Sequence, residues 1–165
     1  MISRLETKEA EVVISDVRVS VLLSEILEGL KPQAAEGQVF IHADCQPLVI
    51  KANVQHMREL FTNLIANAVK YNRPGGQVWV NVREVDGRIV IRVRDNGVGI
   101  PEDSLDRIFE RFYRVDKGRS RKQGGTGLGL SIVKHIVGYY RGTIRVESKL
   151  DEGSEFTVEL PRESP

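Results

Sequence analysis

Four groups of residues in this 165-residue chain have types and spacings that could handle a charged ligand. Glu59, Asn63, Asn67 and Lys70 recur every three or four positions. On a helix turning 100° per residue they share a stripe about 80° wide. Two Asn amides one turn apart offer two neutral oxygens on one side. That suits Mg²⁺, which takes few protein oxygens and keeps waters and substrate phosphates. Lys70 could meet a phosphate as a point charge. The solvated face of any amphipathic helix gives the same pattern, so the stripe alone leaves both readings open.

The second group is Asp95-Asn96-Gly97-Val98-Gly99-Ile100-Pro101. An Asp at the end of a buried strand can accept a hydrogen bond from an amino group such as the exocyclic amine of adenine. Glycines at 97 and 99 would let the backbone pass close to a flat ring; the alternative is a glycine-rich turn ending a strand. The third group, Gly124-Gly125-Thr126-Gly127-Leu128-Gly129-Leu130, runs straight into a helical pattern. Backbone amides of such a turn at a helix N-terminus form an anion site, although a C-cap and linker would look similar. It is not a Walker A loop, because no Gly-Lys-Ser/Thr follows, and no strand precedes it as a Rossmann turn requires. Between these two groups, Ile108-Phe109-Glu110-Arg111-Phe112-Tyr113-Arg114 interleaves aromatics with arginines. Stacking on single-stranded nucleic acid is one use of that mixture. A lid hinge, with aromatics anchoring a loop and arginines facing phosphates, is more economical.

The elements that must hold these groups are legible from periodicity. Leu22, Leu23, Ile26, Leu27 and Leu30 predict a helix from Ser20 to about Ala35, with Pro32 near its end. Met57, Leu60, Phe61, Leu64, Ile65 and Ala68 predict a second, strongly amphipathic helix with Asn53 as N-cap, ending before Arg73-Pro74-Gly75-Gly76. Ile132, Val133, Ile136, Val137 and Tyr140 predict a third over Leu128–Tyr140. Val12–Ile14 and Val17–Val19 read as a β-segment interrupted by Asp16. Val39–Ala43 and Leu48–Lys51 read as short strands around a Pro47 turn. Val78–Val82 and Ile89–Val93 form a hairpin through Asp86-Gly87. Thr143–Glu147 and Phe156–Leu160 close around Asp151-Glu152-Gly153. The sum is about three helices and six or more strands, an α+β class with helices on one face of a mixed sheet.

Composition excludes several classes. Hydrophobic residues at 41% and charged residues at 28% are ordinary globular values, against disorder or a collagen-like fibre. A formal net charge of +1 gives no global attraction to nucleic acid or an anionic membrane. The single Cys45 excludes an intramolecular disulfide and a multi-cysteine zinc site, and suits a reducing compartment. No apolar run approaches the ~18–20 residues of a membrane helix, and no signal-peptide core is present. Seven of the 15 glycines lie between Gly97 and Gly129, and residues 111–122 hold six of the 24 basic residues. The near-neutral total therefore conceals a local basic, glycine-rich loop.

Taken in order, these segments resemble the catalytic and ATP-binding domain of bacterial sensor histidine kinases, within the superfamily that includes gyrase, a heat-shock chaperone and mismatch-repair proteins. Asn63-Leu-Ile-Ala-Asn67-Ala-Val-Lys70-Tyr71 matches the N box and Asp95-Asn-Gly97-Val-Gly99-Ile100 the G1 box. Phe109-Glu-Arg-Phe112-Tyr113-Arg114 matches the F box, and Gly125-Thr126-Gly127-Leu128-Gly129-Leu130 the G2 box. Gly153-Ser-Glu-Phe156-Thr157 is similar to the terminal strand motif. The resemblance covers residues 12–161. Residues 1–11 would be the tail of a helical dimerisation and phosphoacceptor hairpin, and residues 162–165 a C-terminal tail.

The resemblance implies a Bergerat α/β sandwich: a mixed, mostly antiparallel sheet of about five strands with three helices on one face. It implies ATP and Mg²⁺ as ligands. Asn67 and Asn63 would hold the metal; Lys70 and Tyr71 would approach the nucleotide; Asp95 would read the adenine amine; Phe112, Tyr113, Arg114 and the 125–130 turn would contact ATP; and Thr157 would lie near adenine. The loop of about 111–127 would be the ATP lid.

It further implies a cytoplasmic domain, with membrane anchoring of the full-length protein left open. The partners would be the protein's own phosphoacceptor domain and a response regulator receiver domain, and no nucleic acid. The full-length protein is expected to be a homodimer and this piece a monomer. None of His42, His56 and His135 is followed by an acidic residue as the family's phosphoacceptor is, so the acceptor is expected outside this chain; His56 is expected on the polar face of its helix. The gyrase-like branch has a general-base Glu where this chain has Asn63, and an amide cannot take a proton from water. Bound ATP would then be kept for transfer to an imidazole. The alternatives are a stand-alone ATPase clamp, a serine/threonine kinase of the anti-sigma type, or a nucleotide-sensing module.

Overall fold

The computed structural model describes residues 12–111, 113 and 129–162. Strand β1 (Ser15–Arg18) leads into helix α1 (Val19–Gly37), followed by β2 (Phe40–Cys45) and β3 (Val49–Ala52). Helix α2 (Val54–Lys70) precedes the β4–β5 hairpin (Gln77–Val85 and Arg88–Asp95). A short 3₁₀ turn (Glu102–Ser104), helix α3 (Gly129–Tyr139), β6 (Thr143–Lys149) and β7 (Gly153–Pro161) complete the order.

Among the described residues the sheet has five strands in the order β2-β4-β5-β7-β6, with β1 and β3 forming a separate two-stranded ribbon. β2 and β4 are parallel and the other three pairings antiparallel. The expected sandwich of three helices on a mixed five-strand sheet is therefore the observed one. Strand parity sorts its faces. Val78, Val80, Val82, Ile89, Ile91, Val93, Phe156, Val158 and Leu160 line the buried face. They pack with Leu60, Phe61, Leu64 and Ile65 of α2 and Val133, Ile136 and Val137 of α3 in one core. Truncating such a buried aliphatic to Ala would cost about 2–5 kcal/mol, so α2 is held firmly in rotation. Its other stripe, with Asn63, Asn67 and Lys70, is thereby aimed away from the core.

Several local expectations hold for the stated reasons. The Asn53 side chain caps α2 by accepting the His56 N–H at 3.0 Å. Asp86 and Gly87 both take positive φ, 53° and 78°, as a two-residue hairpin of this handedness requires. Others are corrected. Asp16 does not interrupt β1: it sits within it, exposed, and accepts from Lys51 across the ribbon at 2.9 Å. Val12–Ile14 are not strand. β2 and β3 do not pair around Pro47; one joins the main sheet and the other the ribbon. Helix α1 runs through Pro32 to Gly37. Pro32 is exposed, so the carbonyl it leaves unpaired can be solvated, while Ala34 keeps the last turn packed on the core. Contacts reach one residue past the expected boundary: the Arg162 N–H donates to the Gly87 carbonyl at 3.2 Å.

Candidate nucleotide site

The C-terminal end of α2 and the end of β5 meet. Lys70 is the last helical residue and Tyr71 its C-cap. The Val98 N–H donates to the Tyr71 carbonyl at 3.2 Å. That bond fastens the 95–101 turn to the helix carrying Asn63, Asn67 and Lys70, so two groups far apart in sequence share one end of the sandwich. Lys70 Nζ lies 5.8 Å from the Tyr71 ring centroid.

Asp95 ends β5 on the helix-facing side of the sheet and is only 8% exposed. Its Oδ1 accepts the Gly97 N–H at 2.9 Å. Burial pushes its carboxyl up to about 6, against the opposing pull of the Gly97 and Ser154 N–H groups and the Arg94 guanidinium. Near neutral pH it is a buried carboxylate with two backbone donors. A carboxylate offers about four lone-pair sites, so acceptor capacity remains for a ligand.

The glycines of this turn serve the chain itself. A Cβ on Gly97 would strike the Tyr71 carbonyl, and one on Gly99, at φ +77°, the Lys149 carbonyl. That close backbone packing holds the Asp95 turn between α2 and β6. The Asp151 N–H donates to the Val98 carbonyl at 2.8 Å and the Ile100 N–H to Ser148 Oγ at 2.7 Å, completing that clamp.

The Asn63 Nδ2 donates to the Glu59 carbonyl at 2.7 Å, which leaves its Oδ1 as an outward acceptor. That oxygen is 2.9 Å from where a Cβ on Gly129 would stand. The first residue of α3 thus abuts Asn63, bringing the end of the Gly125–Leu130 motif to the Asn stripe. Asn67 is half-buried and, among the described residues, its side chain has no hydrogen-bond partner. Two amide oxygens with their helix face turned from the core fit a hard cation that keeps most of its waters. Among the described residues no cluster of three His, Cys, Asp or Glu side chains could hold a metal instead.

Of the 108–113 segment, residues 108–111 and 113 are among the described residues. Ile108 is buried, Phe109 packs edge-on against Phe156 at 6.2 Å, and the Tyr113 hydroxyl donates to Ser104 Oγ at 3.0 Å. Arg107 lies 4.6 Å over the Tyr113 ring. Phe112, Arg114, Gly125, Thr126, Gly127 and Leu128 lie outside the described residues. Leu130 is half-buried against the core in the first turn of α3.

Thr157 is not brought to Asp95. It pairs with Arg92 and Arg145, an odd number of residues from the position facing Asp95, and so lies on the opposite face of the sheet. The β7 residue opposite Asp95 is Ser154, 7% exposed, and beside it on β6 is Ser148, 2.8 Å away between hydroxyls. Neither serine stands out by composition or periodicity. The available signal was strand parity: Ser154 follows Gly153 directly, in the motif already singled out. His56 does not lie on the polar face expected of it. It is 6% exposed, with Nδ1 2.7 Å from the Tyr140 hydroxyl.

Comparison with known proteins places this arrangement. Residues 52–164 match the family described as "Histidine kinase-, DNA gyrase B-, and HSP90-like ATPase". The chain belongs to that family. The sensor histidine kinase RppB of Synechocystis is 39% identical over 98% of this chain and 36% of its own length. The sensor protein kinase WalK of Staphylococcus saprophyticus is 34% identical over 98% of this chain and 27% of its own length. The chain thus spans about a third of these curated relatives. Among solved structures, full-length ShkA in complex with AMPPNP superposes at a TM-score of 0.83, with 31% identity over 99% of this chain and 34% of that one. The mycobacterial sensor histidine kinase MprB superposes at 0.80, with 26% identity over 93% of this chain and 100% of that one. Among the described residues no helix is long and apolar enough to cross a membrane.

Proposed function

We propose that this chain is the ATP-binding catalytic domain of a two-component sensor histidine kinase, donating the γ-phosphoryl group to a His on a separate helical hairpin for relay to a response regulator Asp. The observation that carries the reading is the Tyr71–Val98 hydrogen bond. It joins a buried acceptor suited to an amine, Asp95, to a helix face suited to metal and phosphates. Asp95 accepts from the adenine amine. Asn67 and Asn63 hold Mg²⁺, which when bound offsets the charge of the phosphates. Lys70 adds a cation at the phosphates, and Tyr71 lies against the nucleotide. Arg114 and the 125–130 motif contact the triphosphate, and Phe112 and Tyr113 contact ATP. Positioning and charge stabilisation then do most of the catalysis.

The clamp-ATPase alternative is disfavoured at Asn63. Its amide already donates to the Glu59 carbonyl and has no basic lone pair for activating water. The test is incubation with γ-labelled ATP and a hairpin carrying a candidate His. Label that is acid-labile and absent with Asn67→Asp is the expected result. Acid-stable label would indicate a serine/threonine kinase, and rapid phosphate release without transfer a clamp ATPase. In calorimetry, Asn67→Asp should weaken Mg·ATP binding by altering charge and ligand geometry; unchanged affinity would remove Asn67 from the metal site.

A further inference from the structure

Ser148 occupies a junction that the nucleotide reading does not use. Its Oγ is 2.7 Å from the Ile100 nitrogen, 3.0 Å from the Gly153 carbonyl oxygen and 2.8 Å from Ser154 Oγ. A serine hydroxyl has one proton and two lone pairs. The carbonyl can only accept, so the Ser148 proton goes to Gly153. The Ile100 N–H fills one Ser148 lone pair. The remaining contact is then made by the Ser154 proton donating to Ser148. Ser154 has thereby committed its only proton and presents lone pairs alone.

Ser154 stands opposite Asp95 in the β5–β7 register, on the same face of the sheet. A carboxylate and a hydroxyl held as an acceptor therefore lie side by side at the strand end. We propose that Ser148 is a specificity-determining positioning residue for the nucleotide. By fixing the Ser154 proton it keeps this wall of the site acceptor-only, matched to the 6-amino edge of adenine and mismatched to the 6-carbonyl edge of hypoxanthine or guanine. The inference rests on the reading of this site as an ATP site. Removing the Ser148 hydroxyl frees the Ser154 proton to turn and donate to a carbonyl, so discrimination falls from both directions. A site with unpaired acceptors facing a carbonyl binds poorly.

The test is calorimetric titration of the 165-residue chain with Mg·ATP and with Mg·ITP. The wild type should prefer ATP. Ser148→Ala should cut the ATP/ITP affinity ratio by about tenfold, the scale of one hydrogen bond gained or lost. Ser148→Thr, which keeps the hydroxyl, should restore the ratio. Ser154→Ala should also lower it, and adding Ser148→Ala to that variant should change it no further. A ratio unchanged in Ser148→Ala, with both affinities equally reduced or untouched, overturns the proposal and leaves Ser148 purely structural. Should Ser148→Ala fail to fold, an unchanged ratio in Ser154→Ala overturns it equally. A wild type that binds neither nucleotide, or both alike, fails the ATP reading itself and removes the basis for the inference.

Discussion

Two buried polar sites flank helix α2 and are almost equally hidden: His56 near its N-terminus is 6% exposed and Asp95, tied to its C-terminus, 8%. In both, burial opposes the charged form, lowering the His56 pKa and raising that of Asp95. They differ in what remains unbonded. His56 Nδ1 pairs with the Tyr140 hydroxyl, which accepts the Asn53 N–H at 2.9 Å, and the Tyr139 and Tyr140 rings meet the imidazole edge-on. That network is closed by the protein itself and pins α3 to the start of α2. Among the described residues the donors to Asp95 are backbone N–H groups, and it keeps lone pairs for a ligand. Equal burial thus serves structure at one end and, in the proposed function, recognition at the other, and spare bonding capacity tells them apart.

Substitutions should separate the two ends. The largest effect is expected from Asp95→Asn, which removes a charge-assisted acceptor. ATP affinity should fall about 10–100-fold, the range for a hydrogen bond to a charged group. Thermal stability at pH 7 should hold or rise, because an ionised carboxylate with a raised pKa opposes folding. Tyr140→Phe should do the reverse. It leaves His56 Nδ1 and the Asn53 N–H without their partner, at about 1–3 kcal/mol of stability by denaturant unfolding, with nucleotide affinity unchanged. Asn53→Ala should cost about 1 kcal/mol through the lost cap. If Tyr140→Phe altered the ATP/ITP ratio as strongly as Asp95→Asn, the two ends would not be separable.

Acid sharpens the contrast because the shifts have opposite signs. His56 has a folded pKa below its ordinary 6.5, so the unfolded chain binds the proton more readily. Its stabilising contribution is complete above about 6.5 and is lost as pH falls below that value. His56→Phe should remove that part of the acid sensitivity in pH-dependent unfolding. Asp95 has a folded pKa raised from 3.8 to about 6. Protonation on acidification through that range relieves its cost to folding, but turns an acceptor into a donor. The ATP/ITP ratio, in which phosphate titration cancels, should therefore fall as pH drops through about 6, and Asp95→Asn should abolish that dependence.

The sequence made one end far more legible than the other. The Asn stripe and the Asp95 turn were readable because helical period and glycine content are local signals, and the N-cap at Asn53 was readable for the same reason. The pairing of β1 with β3 and the partners of His56 depend on residues many positions away. Tyr140 lies 84 residues from His56, and no local pattern links them. Motif proximity puts Thr157 beside the Asp95 turn, whereas strand parity puts it on the other face of the sheet. Ser154 is legible only through strand parity from Gly153, and Ser148 only once the β6–β7 register sets it opposite Ser154.

The proposed function requires the chain to bind Mg·ATP and hold it unhydrolysed for transfer. The most direct measurement incubates the 165-residue chain with Mg·ATP, separates protein from free nucleotide, and assays both fractions for ATP, ADP and phosphate. Intact ATP should be retained on the wild-type protein and little on Asp95→Asn, with negligible phosphate release without a His acceptor. Steady phosphate release by the chain alone, or no nucleotide retained by the wild type, would contradict it.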